Sequence, residues 1–157
     1  MPPGTVGIAK KEIIYYPFYG QIWFLSGHLI IDRSSRENSV GALKKLAAYM
    51  HRKRLSVLLW PEGTRSRDGR LQAFKKGFAH IALQTRLPIV PMVITGAHKA
   101  WEKGRLGFRP VPITIRFLPA IDTSGWNLET IEQHIADVRQ AFIDALPVEQ
   151  RPLPAAA

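Results

Sequence analysis

Cysteine is absent from this 157-residue chain. That excludes a disulfide framework and a thiolate nucleophile, and it leaves the redox compartment open. Acidic residues are scarce: 12 Asp and Glu stand against 22 Lys and Arg, for a formal net charge of +10. A surface of that sign attracts phosphates, whether on lipid headgroups, anionic membranes or nucleic acids. Long apolar runs are missing too, and none approaches the roughly 18–20 residues that cross a bilayer. The first residues, Met1 to Thr5, lack a basic segment followed by an apolar core, so no signal peptide is visible. Membrane contact by this chain is therefore expected to be peripheral. The five His, at 28, 51, 80, 98 and 134, are too scattered to suggest a metal site.

What is present is ordinary for a globular domain: 46% hydrophobic and 22% charged residues, with four Trp and seven Phe arguing against disorder. The length fits one domain, expected over 1–146, with 147–157 as a C-terminal tail that is loose from Arg151. Val6–Ala9 reads as a buried strand. Pro17 opens a helix that Gly27 closes. Leu29–Ile31 is a second strand, and Ser39 to Met50 an amphipathic helix with Val40, Leu43, Leu46, Ala47 and Met50 on one face. Leu55–Leu59 is a strand, Gly77–Thr85 a helix, and Ile89–Ile94 a strand whose Pro91 implies an edge, a bulge or an early break. Ile113–Phe117 alternates like a strand. In the last helix Leu128, Ile131, Ile135, Val138 and Phe142 recur at three- and four-residue steps, and Pro147 ends it. Alternating strands and helices predict an α/β fold with a largely parallel central sheet flanked by helices. No internal repeat or domain linker is visible.

The segment richest in chemistry is Trp60-Pro61-Glu62-Gly63-Thr64-Arg65-Ser66, directly after the apolar strand at 55–59. It delivers one carboxylate and one guanidinium to a strand end, where α/β proteins commonly place ligand chemistry. This segment resembles the Phe-Pro-Glu-Gly-Thr-Arg-Ser motif of the glycerolipid acyltransferases, the lysophosphatidate acyltransferase family, with Trp60 in place of Phe. Ala9-Lys10-Lys11-Glu12-Ile13 followed by Pro17-Phe18-Tyr19-Gly20 is similar to the family's Ala-Lys-Lys-Glu-Leu and Pro-x-x-Gly segment. Gly27 to Arg33 resembles its Gly-x-x-Phe-Ile-Asp-Arg block. Phe74-Lys75-Lys76-Gly77 and Leu87-Pro88-Ile89-Val90-Pro91-Met92 fit two further blocks. The likeness runs in order from about Val6 to Gly96, and beyond Ala97 it is only general.

One block of the family is missing. Its catalytic signature is His-x4-Asp, whose His takes the proton of an acceptor hydroxyl attacking an acyl thioester while the Asp orients the ring. Five residues after the five His stand Arg33, Ser56, Thr85, Lys103 and Arg139, so the motif occurs nowhere in these residues. His28 with Asp32 is one residue short, and across a strand that spacing separates the pair by roughly 13 Å, far beyond a hydrogen bond. No catalytic residue is therefore assigned. The resemblance implies a glycerol-3-phosphate acyltransferase-like fold missing its N-terminal portion, with Met1 an internal start or the point where a longer gene was cut.

The same resemblance implies roles for particular residues. Arg65 and Arg33 are candidates to grip a phosphate, because guanidinium forks match phosphate oxygens in bidentate geometry. The alternative is that each pairs a local carboxylate, Glu62 or Asp32. Lys10 resembles a position near the acceptor phosphate, or is a generic strand-end lysine. Glu62 either meets an acceptor hydroxyl or holds Arg65 in place, the second being the minimum role. Gly63 and Ser66 shape the turn, and Thr64 offers a hydroxyl. Arg67, Arg70, Lys75 and Lys76 make the following loop basic. His51-Arg52-Lys53-Arg54 complements the negative C-terminal end of its helix. Tyr15, Tyr16, Phe18, Tyr19, Trp23 and Phe24 suit a membrane interface or core packing equally.

The activity so implied is transfer of a fatty acyl group from acyl-CoA or acyl carrier protein to the free hydroxyl of lysophosphatidate. It would take place on the cytoplasmic face of an anionic membrane, with no metal or cofactor, and the chain would be inactive without its base. The alternative is a non-catalytic lysophospholipid- or phosphate-binding remnant. Nucleic-acid binding ranks last, since net charge is its only support.

Overall fold

Thr5–Lys10 forms β1, the central strand of a small parallel sheet, in a computed structural model that describes residues 4–10, 14–15, 17–31, 36–101, 104 and 107–153. These residues divide into two compact units, one ending at Leu59 and the other starting at Trp60.

In the first unit β1 is followed by helix α1 (Tyr19–Leu25), β2 (Leu29–Ile31), helix α2 (Arg36–Lys53) and β3 (Ser56–Leu58). The strand order is β2-β1-β3, all parallel, with Ile8 opposite Leu29 and Val6 opposite Val57. Parallel neighbours need crossover connections, and here the helices supply them. Pro17 lies in the turn before α1, and Gly27 closes the helix through His28 N–H donating to Trp23 O at 3.3 Å. α2 is longer at both ends than its apolar stripe. Leu46, Ala47 and Met50 are buried as expected, and the basic His51, Arg52 and Lys53 fall in its last turn. Those charges lie where the helix dipole favours cations, so the run has a helix-end role.

In the second unit the order is helix α3 (Gly77–Thr85), β4 (Met92–Thr95), a single-turn helix α4 (Ala97–Ala100), β5 (Thr114–Phe117), helix α5 (Ile131–Ala145) and a 3-10 turn at Val148–Gln150. β4 and β5 pair antiparallel, Met92 opposite Phe117. Of the edge, bulge or early break that Pro91 implied, the strand shows the break. Ile89 makes one isolated bridge to Ile121, and regular pairing starts only after Pro91. The core joins α3 to α5 through Phe78, Ile81, Ala82, Ile131, Ile135 and Val138. Burying a Phe, Ile or Val side chain contributes up to about 1.5–3 kcal/mol. Phe74 packs edge-to-face on Phe78 at 5.9 Å and on Phe142 at 5.3 Å, which anchors the end of the motif loop between the two helices.

Three expectations shift. Leu128 is 68% exposed and outside α5, because Asn127 Oδ1 accepts the Thr130 amide at 2.9 Å and its hydroxyl at 3.0 Å, and this local turn delays the helix start. All four residues of β5 are exposed, so its alternation does not mark one buried face. The tail expected to be loose from Arg151 is held there: Arg151 Nε donates to Leu146 O at 2.9 Å, and Arg151 O accepts Arg70 Nη1 at 2.8 Å.

Candidate functional site

The motif begins with a β-turn. Gly63 N–H donates to Trp60 O at 3.0 Å across Pro61 and Glu62. Proline presets the first central position of such a turn and glycine suits its end. Gly63 has φ +68°, a left-handed conformation costly for residues with a Cβ. The order Trp-Pro-Glu-Gly is thus explained by backbone geometry before any chemistry is considered. Three residues on, Ser66 Oγ donates to Asp68 Oδ1 at 2.7 Å, and the same oxygen accepts the Arg70 amide at 3.1 Å. These bonds, the Ser66 hydroxyl first, hold the Asp68 carboxyl below the usual range. Ser66 thus takes part in the hydrogen bonding within the loop.

Distant residues fix the loop. Lys75 N–H donates to Pro61 O at 2.7 Å and closes its base. Gln150, a buried polar residue, accepts the Leu71 amide at its carbonyl at 2.9 Å. Its Oε1 accepts the Gly96 amide at 3.2 Å, and its Nε2 donates to Gly69 O at 3.4 Å. One side chain thus ties the motif loop to the junction between β4 and α4.

Glu62 and Arg65 part company. The Glu62 carboxylate is half-buried and its Oε2 accepts the Gln72 amide at 2.8 Å. Burial pushes its carboxyl above the ordinary value, while the Gln72 bond and the charge of Arg139 pull it partly back. Arg139 also donates from Nε to Gln72 O at 3.3 Å. Arg65 is exposed, and its guanidinium carbon lies over the Trp101 ring, 4.5 Å from the centroid. The Glu62 carboxylate thus has the Gln72 amide and the charge of Arg139 beside it, while the Arg65 guanidinium lies over an aromatic face.

Five of the predicted residues, Glu62, Gly63, Thr64, Arg65 and Ser66, share this one loop, with Gly63 and Thr64 exposed. Lys10 belongs to the first unit, where it ends β1 opposite Ile31. Arg33, like Asp32, lies outside the described residues. His28 Nδ1 accepts the Gly7 amide at 3.0 Å and its ring tilts on Trp23. His134 stacks on Trp126. The Nδ1 of His98 is buried with no hydrogen-bond partner among the described residues. Among those residues no group of His, Asp and Glu is placed to hold a metal ion, and no helix is long and apolar enough to cross a membrane. Gln150, Arg139 and Trp101 were not foreseen. They follow the motif by tens of residues and carry no local signal.

Comparison with known proteins agrees with this geometry. The acyltransferase family model matches residues 1–95. The chain is 49% identical over 152 residues to the 1-acyl-sn-glycerol-3-phosphate acyltransferase of Limnanthes douglasii, covering 97% of this chain and 54% of that protein. It is 32% identical over 137 residues to the protein of the same name from Escherichia coli K12, covering 87% and 55%. The crystal structure of the 1-acyl-sn-glycerophosphate (LPA) acyltransferase PlsC from Thermotoga maritima superimposes with a TM-score of 0.65 at 26% identity, covering 90% of this chain and 57% of that one. The chain spans about half the length of the curated relatives it matches.

Proposed function

This chain belongs to the acyltransferase family, and on that premise we propose that it carries the acceptor-binding part of an enzyme that acylates the free hydroxyl of 1-acyl-glycerol 3-phosphate. The observation that carries this reading is the Trp60–Ser66 loop, in which a locked turn presents the exposed Arg65 guanidinium. In the reaction the acceptor hydroxyl oxygen attacks the carbonyl carbon of a thioester on CoA or acyl carrier protein. The thiolate leaves, and the hydroxyl proton passes to a base. Arg65 grips the acceptor phosphate, and Lys10 and Arg33 are proposed as acceptor-binding cations on the strength of the family resemblance alone. Glu62, Gly63, Thr64 and Ser66 give the loop its shape. In the first unit Tyr15 and Phe18, each 78% exposed, and Leu25 at 82% supply apolar contact to an anionic membrane surface.

These 157 residues contain no His-x4-Asp, and as a chain on their own they are proposed to bind the acceptor without turning it over. The test is to incubate the purified chain with lysophosphatidate and either acyl-CoA or acyl carrier protein thioester. Saturable binding of lysophosphatidate, lost in Arg65→Ala, with no thioester-dependent product, is the expected result. Product formation overturns the inactivity, and absence of binding overturns the assignment of the loop. A second reading is a lysophospholipid-binding protein with no catalytic step. It is distinguished by restoring a His-x4-Asp segment ahead of β1: acylation then supports the enzyme reading, and continued inactivity with intact binding supports the second.

A further inference from the structure

Two adjacent exposed lysines, Lys75 and Lys76, stand just before α3. Lys76 Nζ is paired with the Glu132 carboxylate of α5. Lys75 makes no ion pair among the described residues, and the cation that acts on the motif carboxylate Glu62 is Arg139. The backbone nevertheless ties Lys75 to the motif turn, since its N–H donates to Pro61 O at 2.7 Å. Its side chain stays at that turn. A Cβ placed on Gly63 would lie 3.4 Å from Lys75 Cγ, in ordinary contact, so the lysine stem runs past the face that the glycine leaves bare. Only Cδ and Cε separate this Cγ from the ammonium. The Gly63 amide is itself committed to Trp60 O, so this turn meets an anion with side-chain cations and not with that N–H.

We propose that Lys75 is a second cation of the motif loop and binds a phosphate monoester together with Arg65. This rests on the reading of Arg65 as the phosphate grip. A phosphate monoester carries a charge of about −1.5 to −2 at neutral pH, more than one guanidinium balances. An ammonium on a flexible stem meets a phosphate oxygen as a point charge and needs no fixed fork geometry. Contact of the stem with Gly63 limits the space the ammonium samples, which lowers the entropy lost when it meets a ligand. Lys76 takes such a role only by giving up Glu132. In the proposed reaction a monoester of this kind comes from the headgroup of lysophosphatidate or from the ribose phosphate of CoA.

The experiment titrates the 157-residue chain with a short-chain lysophosphatidate and, separately, with CoA, in wild type, Lys75→Met, Lys75→Arg, Lys76→Met and Arg65→Ala. Methionine keeps an unbranched stem against Gly63 and removes only the charge. An exposed charge pair corresponds to about a two- to fivefold change in affinity. Lys75→Met is expected to weaken lysophosphatidate binding by that factor, Lys75→Arg to retain most of it, and Lys76→Met to change little. The gap between wild type and Lys75→Met should also narrow as salt is raised, which a purely structural role would not produce. The two ligands identify the source of the ester: a loss on lysophosphatidate alone assigns the acceptor headgroup, and a loss on CoA alone assigns the donor. Unchanged affinity for both ligands in Lys75→Met, with Arg65→Ala impaired, overturns the role of Lys75 and leaves the phosphate grip standing. Equal losses in Lys75→Met and Lys76→Met mean a diffuse basic surface and overturn it as well. A loss in Lys75→Met with Arg65→Ala unimpaired instead removes Arg65 from the site and keeps Lys75. No binding of either ligand by the wild-type chain overturns both readings.

Discussion

Gln72 donates its backbone N–H to Glu62 Oε2 at 2.8 Å, and the carbonyl of the same residue accepts the Nε–H of Arg139 at 3.3 Å. The motif carboxylate is therefore part of the support of its loop, while the motif guanidinium faces outward over Trp101. Two oppositely charged side chains three positions apart serve separate purposes.

That division predicts opposite signatures for the two arginines. Arg139→Ala removes a hydrogen bond and a cation that faces a half-buried carboxylate. It should cost about 1 kcal/mol, or about 2–4 °C in melting temperature for a chain of this size. Arg65→Ala changes an exposed residue and should stay within about 0.5 kcal/mol of wild type. It should weaken lysophosphatidate binding by about tenfold or more, as expected for a lost charge-assisted pair. Thermal melts alongside a binding titration decide the matter, and a large stability loss in Arg65→Ala would contradict it.

Gln150 is the second support. Replacing it with Leu leaves its backbone carbonyl on the Leu71 amide but strips the side-chain partner from the Gly96 amide. A part-buried donor left without its acceptor should cost about 1–3 kcal/mol. Hydrogen exchange should accelerate at Gly96 far more than at Leu71. Equal acceleration at both sites would mean that the turn as a whole unfolds and that the side chain is not the tie.

Much of this fold could be read from local pattern. The strand at Leu29–Ile31 and the helix at Gly77–Thr85 fall where apolar runs and bounding residues place them, and Pro91 breaks its strand as its missing N–H requires. Errors came where a short polar side chain competes with the backbone, as at Asn127, whose bonds to Thr130 hold Leu128 out of α5. The motif loop was legible as a turn because Pro61 and Gly63 encode one. Its partners were not, because contacts from Gln150, Arg139 and Trp101 depend on how α4 and α5 pack, and no spacing in the chain records that.

Two left-handed glycines of the second unit, Gly63 and Gly96, should differ sharply on substitution. In Gly63→Ala the new Cβ meets only Lys75 Cγ at 3.4 Å, the stem of a flexible side chain. The backbone strain alone should then cost about 1–2 kcal/mol. In Gly96→Ala the Cβ would collide with the backbone oxygen of Pro112, at φ +84°. Neither group can move without disturbing β4 and β5, so the loss should exceed about 3 kcal/mol. Chemical denaturation of the two variants checks the order, and equal losses would show that strain and not collision dominates.

The pH dependence of stability carries the signature of Glu62. Its carboxyl is raised above the ordinary value of 4.5, chiefly by burial. The folded state therefore binds this proton more tightly than the unfolded chain. By linkage, the contribution of Glu62 is fully present below its unfolded value and is lost as pH rises through the raised folded value. Glu62→Gln keeps an oxygen for the Gln72 amide and cannot ionise. The difference in unfolding free energy, variant minus wild type, should be smallest near about pH 4, grow through the window above it, and level off by about pH 7. Urea melts of both proteins across that range measure it directly. A difference that shrinks with rising pH would mean that the attraction of Arg139 outweighs the desolvation of the carboxylate.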